Sequence, residues 1–186
     1  ETSLDRKEIC ISRSFGNPID SLEELNHVIS KYVLIASTKL RKNQQLSSAI
    51  TVFIRTNIHS TDFFKNEATQ NLSIPTSDSR IILKQSLELT KKIFKPYNKF
   101  IKAGIILHKL QSNEYIQNSL IFNQDTQDKL YLQRLNILMD NINKRNGRNS
   151  LGWGISTIEE DWSPRRKKLS SIKTTTIENI PTIFAN

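Results

Sequence analysis

Two amphipathic helical stretches each sit between runs of strict two-residue alternation, and that order leaves few folds open to the first 110 residues. Lys7 to Phe15 alternates through Ile9 and Ile11, which predicts a half-buried strand, interrupted by Gly16, Asn17 and Pro18. Ser21 and Glu24 then fit a capping box. Behind them Leu22, Leu25, Ile29, Tyr32, Val33, Ala36 and Leu40 recur at three and four, which predicts a helix to about Gln44. Its end carries Lys39, Arg41 and Lys42, favourable at the negative pole of the helix dipole. Ser48 to Thr56 alternates again, with Ile50, Val52 and Ile54 on one side and Thr51, Phe53 and Arg55 on the other. A weaker strand is expected around Thr69 to Ile74, closed by Pro75, with Thr76, Ser77 and Asp78 offering N-caps to a helix from about Ser79. That helix stops before Pro96, because the residue preceding proline avoids the α region. Phe100 to Leu110 alternates Ile101, Ala103, Ile105 and Leu107 against Lys102, Gly104, Ile106 and His108, a last strand.

The order β-α-β-β-α-β predicts an α+β fold: a four-stranded antiparallel sheet with two helices on one face. Each strand then has a covered side and an open side. The open side is expected to carry Ser12, Ser14, Thr51, Arg55, Ser73 and Lys102 and, from Ser12 onward, no acid.

After Leu110 the pattern changes. Residues 111–129 are rich in Asn, Gln and Asp and read as a linker around one apolar cluster, Leu120-Ile121-Phe122. Leu130 to Asn146 resumes helical spacing through Leu132, Leu135, Leu138, Met139 and Ile142, with Gly147 as its stop. The stretch LGWGIS after Asn149 suits a short strand, and Trp162 to Lys168 forms a basic turn. Three parts follow: residues 1–110, a linker over 111–129, and a small, mostly helical or irregular region over 130–186.

Lysine and arginine number 27 against 18 acidic residues, a formal charge of +9 that favours a polyanionic partner. The single cysteine, Cys10, rules out an internal disulfide and a cysteine-based zinc cluster, and its strand position suits an inert packing residue. His27, His59 and His108 show no ligand spacing, so no metal is expected. Charges alternate from Glu1 to Glu8 where a signal peptide would be apolar, and no apolar run approaches the roughly 20 residues that span a bilayer. Neither secretion nor a membrane is expected. No Gly-rich phosphate loop occurs, and Glu159-Glu160-Asp161 reads as a solvated charge run.

KEICISRSFGNPI, ASTKLRKNQ, ITVFIRTN, SIPTSDSRIILKQSLEL and YNKFIKAGIILHKL, in unbroken order, resemble the little-finger domain of UmuC-like Y-family translesion DNA polymerases. MDNINKRNGRNSLGWG and DWSPRRKKLSSIKTTTI resemble the small C-terminal region that follows it in that family. The resemblance implies a piece of a DNA polymerase acting in DNA repair and the SOS response, without the catalytic palm. Such a chain is expected to be inactive alone and to need no cofactor. Magnesium belongs to the intact enzyme. A stand-alone nucleic-acid-binding module from a split or truncated gene and a protein-interaction adaptor are the other two readings.

In this family the little finger sits against duplex DNA. An acid-free sheet face can meet phosphates without reading bases, so binding tolerates sequence and damage. By the resemblance the DNA contacts fall on Ser12, Arg13, Ser14 and Gly16 of the first strand, Thr51, Arg55 and Thr56 of the second, Lys102 of the last, and Arg80 at a helix start. Gln117, Leu120 and Phe122 fit a Q-x-x-L-x-F pattern, which bacterial polymerases use to dock on the β sliding clamp: two apolar anchors fill a pocket and the glutamine amide sets register. Implied partners are primer–template DNA, the clamp, a UmuD′ dimer and RecA, in a bacterial cytoplasm.

Overall fold

The structure, a computed structural model, describes residues 7–113, 126–147 and 150–153. Its order is β1 (Ile9–Ile19), α1 (Leu22–Lys42), β2 (Gln45–Arg55), β3 (Lys65–Thr76), α2 (Ser79–Ile93), β4 (Phe100–Ser112) and α3 (Thr126–Asn146). The four strands form one sheet in the order β1-β4-β2-β3, with every neighbouring pair antiparallel. The expected α+β layering is what the chain adopts. Both helices of the β-α-β-β-α-β unit cover the same face, where α1 packs on α2, β1 and β4.

Alternation decides which side chains meet there. Ile9 and Ile11 of β1, Ile50, Val52 and Ile54 of β2, and Ala103, Ile105 and Leu107 of β4 are buried against Leu25, Val28, Ile29, Val33, Leu40 and Ile82 of the helices. Tyr32 and Phe100 are the largest side chains wholly enclosed. Each such residue contributes roughly 1.5–3 kcal/mol by leaving water.

The helix ends follow the local chemistry. Ser21 caps α1, its hydroxyl accepting from the Glu24 amide at 3.1 Å. Of the three candidates before α2, Asp78 is the cap, accepting from the Arg80 amide at 2.9 Å. The Arg80 side chain donates to the same carboxylate at 2.8 Å. Burial pushes the Asp78 carboxyl up, but these hydrogen bonds and the guanidinium charge outweigh it and hold its pKa below the ordinary 3.8. The bond to Asp78 also raises Arg80. A lowered carboxyl stabilises the fold above its unfolded pKa and loses that contribution as pH falls through the lower folded value. Asp78→Asn keeps a capping oxygen and removes the titration. In acid denaturation below about pH 4 the variant is expected to lose stability less steeply than the parent. Parallel curves would show that the Asp78–Arg80 pair adds nothing.

Four expectations are corrected. β1 runs on through Gly16, Asn17 and Pro18 to Ile19, with a register shift in place of the expected break. β3 begins at Lys65, four residues before the expected Thr69, because Lys65 to Ala68 continues the register with Arg55 to Val52. α3 begins at Thr126, inside the expected linker. Cys10 is exposed, because its strand position points away from the helices. Residues 150–153 are bends, and the rest of LGWGIS, with Trp162 to Lys168 and Glu159 to Asp161, lies outside the described residues.

α3 is held to the helical layer by polar contacts. Arg41 of α1 donates to both carboxylate oxygens of Asp140 at 2.6 and 2.7 Å, and to the Ser77 carbonyl at 2.8 Å. Such a fork fixes position as well as charge. Buried Ser79 at the start of α2 donates to Asn136, and Trp153 donates to the Ser79 hydroxyl at 3.0 Å. Trp153 therefore packs on its own chain. All of this lies behind the sheet and leaves the open face uncovered by described residues.

Candidate nucleic-acid interface

The two registers that β4 shares with β1 and β2, continued by β2 with β3, line residues up in rungs across the open face. Ser14 faces Lys102, Lys102 faces Arg55, and Arg55 faces Lys65. Three cations thus stand side by side on adjacent strands, which lie about 4.8 Å apart. Like charges directly opposite one another destabilise a sheet. Among the described residues Lys102 and Arg55 have no acidic partner, and the Arg55 Nε is buried with no hydrogen-bond partner. Lys65 is paired, at 3.3 Å from exposed Glu67. A row of like charges that works against folding is suited to an anion from outside.

The next rung is Ser12, Gly104, Phe53 and Glu67. A Cβ on Gly104 would stand 2.6 Å from Phe53 Cε1 and 2.6 Å from the Ser12 Cβ. The Phe53 ring therefore lies over Gly104, filling the gap a glycine leaves in a strand. Glu67 corrects the expectation of an acid-free face. The two further rungs are Cys10, Ile106, Thr51 and Thr69, then His108, Ala49 and Asn71, with Glu8 just before β1 beside the second. His108 Nδ1 lies 2.8 Å from Glu8 Oε1, and its Nε2 lies 2.8 Å from the Thr51 hydroxyl, itself 2.7 Å from that of Thr69. A carboxylate only accepts, so the ring donates to it from Nδ1. The chain ties β4, β2 and β3 to the residue that precedes β1 and closes one end of the face with polar groups, against the cationic rung at the other.

Of the residues expected to touch DNA, the structure brings Ser12, Ser14, Arg55 and Lys102 together on the open face. Thr51 shares that face, but it is buried and its hydroxyl is engaged by Thr69 and His108. Arg13 pairs with buried Ala103 and so has the parity of the helix-covered side, exposed near the point where the β1–β4 register shifts after Ser14. Gly16 falls where the β1–β4 register shifts between Ser14 and Ile19. Thr56 is buried, and its hydroxyl accepts from the Phe64 amide at 2.8 Å, closing the β2–β3 loop. Arg80 lies in the helical layer, occupied by Asp78. Thr51, Thr56 and Arg80 therefore have structural work that their strand and helix positions impose, and Arg13 leaves the row. Sequence reasoning missed Lys65, because the stretch through Phe63 and Phe64 up to Thr69 reads as loop; a search for alternation continuing upstream of Thr69 would have found it. Gln117, Leu120 and Phe122 lie outside the described residues.

Residues 6–120 match the C-terminal domain of the impB/mucB/samB family, well over half of the chain. The chain belongs to that family. Residues 133–183 match a second domain, one of unknown function, which includes most of α3. The chain is 30% identical to the MucB protein of Escherichia coli over 178 residues and 28% identical to the UmuC protein of Salmonella typhimurium over 172. It covers 41% and 40% of those proteins, against 95% and 91% of itself, so it spans about two fifths of these family members. Among solved structures it is similar to an insertion ternary complex of Dbh DNA polymerase, with 12% identity and a TM-score of 0.46, covering 57% of this chain and 29% of that one. It is also similar to a complex of the β-clamp processivity factor with the little-finger domain of PolIV, with 11% identity and a TM-score of 0.43, covering 63% and 99%. Among the described residues no helix is long and apolar enough to cross a membrane, and no three His, Cys, Asp or Glu side chains group as a metal site.

Proposed function

We propose that this chain is the DNA-gripping portion of a translesion polymerase of the impB/mucB/samB family, acting in DNA repair and the SOS response in the bacterial cytoplasm. The observation that carries the reading is the rung Lys102–Arg55–Lys65 on the open face of the sheet. Side chains that meet phosphates hold a duplex without reading its sequence, so a lesion in a base leaves the grip intact. Ser12 and Ser14 add hydroxyls on the neighbouring strand. Nucleotide addition, with its magnesium ions, belongs to the remainder of the polymerase. The segment with Gln117, Leu120 and Phe122 tethers the enzyme to the sliding clamp, and a UmuD′ dimer and RecA are its further partners.

The test is duplex binding as salt is varied. Each phosphate neutralised contributes about −0.9 to the log–log slope on duplex DNA. The purified chain is expected to bind duplexes of unrelated sequence alike, with a slope of about −3, and to give no primer extension with magnesium and nucleotides. Strong preference for one sequence, or binding indifferent to salt, would remove the reading.

A further inference from the structure

Tyr97 has no part in the fold. Its side chain is wholly in solvent, at 102% relative exposure, and its backbone is left-handed at φ 67°. A bulky side chain rarely adopts that conformation, whereas the Asn98 beside it would do so at less cost. A large ring kept in water on a strained backbone stabilises nothing in its own chain, and such outliers cluster where a protein meets a ligand.

Its position gives the ligand a chemistry. The α2–β4 loop that carries Tyr97 leads into β4 at Phe100, two residues before Lys102, and the β2–β3 loop runs between Arg55 and Lys65, so both stand at the cationic end of the sheet. They are anchored to one another. Phe64 and Phe94 flank the buried Phe100 ring at centroid distances of 6.3 and 5.9 Å, and the Lys95 ammonium lies 5.4 Å from the Phe64 centroid. On the β2–β3 loop Ile58 and Phe63 are exposed at 58% and 46%. Lys95 and Lys99 flank Tyr97 in sequence. Exposed apolar side chains on two loops at the same end of the sheet as a row suited to phosphates complement a polyanion that also presents apolar faces. Single-stranded nucleic acid is such a polymer, because every unpaired base offers a π-face while a paired one is already stacked.

We propose that Tyr97, supported by Ile58 and Phe63, stacks on unpaired bases that adjoin the duplex held by the cationic rung. The proposal rests on the duplex reading above and adds a second, uncharged contact to it. Stacking accepts any base, so it keeps the binding independent of sequence.

The test compares a blunt duplex with the same duplex bearing a single-stranded overhang, at fixed salt, for the full chain and for Tyr97→Asn and Tyr97→Phe. Asparagine tolerates the left-handed backbone, so the first variant removes the ring without distorting the loop. The overhang is expected to tighten parental binding about tenfold, a typical stacking contribution. Tyr97→Asn should lose that gain while holding blunt duplex as the parent does, and Tyr97→Phe should retain it. An overhang that adds nothing, or a gain that survives Tyr97→Asn, would overturn the proposal. Failure of the blunt duplex to bind at all would instead remove the duplex reading on which it stands.

Discussion

Arg55→Gln, Lys65→Gln and Lys102→Gln introduced together will flatten the log–log salt dependence of duplex binding by about 2–3 units, because each lost cation removes roughly 0.9 from the slope. The same variant will unfold at no lower denaturant concentration than the parent. Glutamine keeps the aliphatic stem, and removing three like charges from facing positions relieves roughly 0.2–1 kcal/mol per pair. Binding falls while stability holds. That combination separates a binding row from a structural one, for which charge removal would cost stability and leave the slope alone. Arg13→Gln serves as the comparison: it removes one cation from the helix-covered parity, and it should change the slope less than Lys102→Gln does. A triple variant with the parental slope would show that DNA meets another surface.

Gly104→Ala will destabilise the domain by about 2 kcal/mol, within the range for overpacking. The melting temperature should fall by roughly 5–10 °C. The new Cβ would lie 2.6 Å from the Ser12 Cβ, which moves only with the backbone of β1, and against the ring of Phe53. Phe53→Ala in the same chain frees one side of the site and leaves the Ser12 contact. The double variant should therefore cost less than the two single changes summed, the non-additivity expected of touching residues. Chemical denaturation of the four proteins measures it. A Gly104→Ala protein as stable as the parent would mean that the ring does not lie over this glycine, and that the open face has a different relief beside the cationic rung.

The sequence by itself determined the elements and the layer they form. Period-two runs around Ile9, Ile50 and Ile105 and the three-four spacing behind Ser21 each report burial on one side, and burial is a local pattern that a neighbouring element need only satisfy. Which strand faces which was not legible there. Lys102, Arg55 and Lys65 lie up to 47 positions apart, and they become one row only because β4 enters between β1 and β2 in the register that buries Ile54 and Ala103. A shift of one residue would have turned the row toward the helices. Tertiary structure likewise took Thr56 for a loop closure and Thr51 for the chain from His108 to Thr69. Thr51 and Thr56 are polar groups that burial obliged to find a partner, and the partner, not the residue type, decided their roles. The ring of Phe53 over Gly104 and the unpartnered Nε of Arg55 belong to the same class: they follow from what lies across the sheet, which no stretch of the chain records by itself.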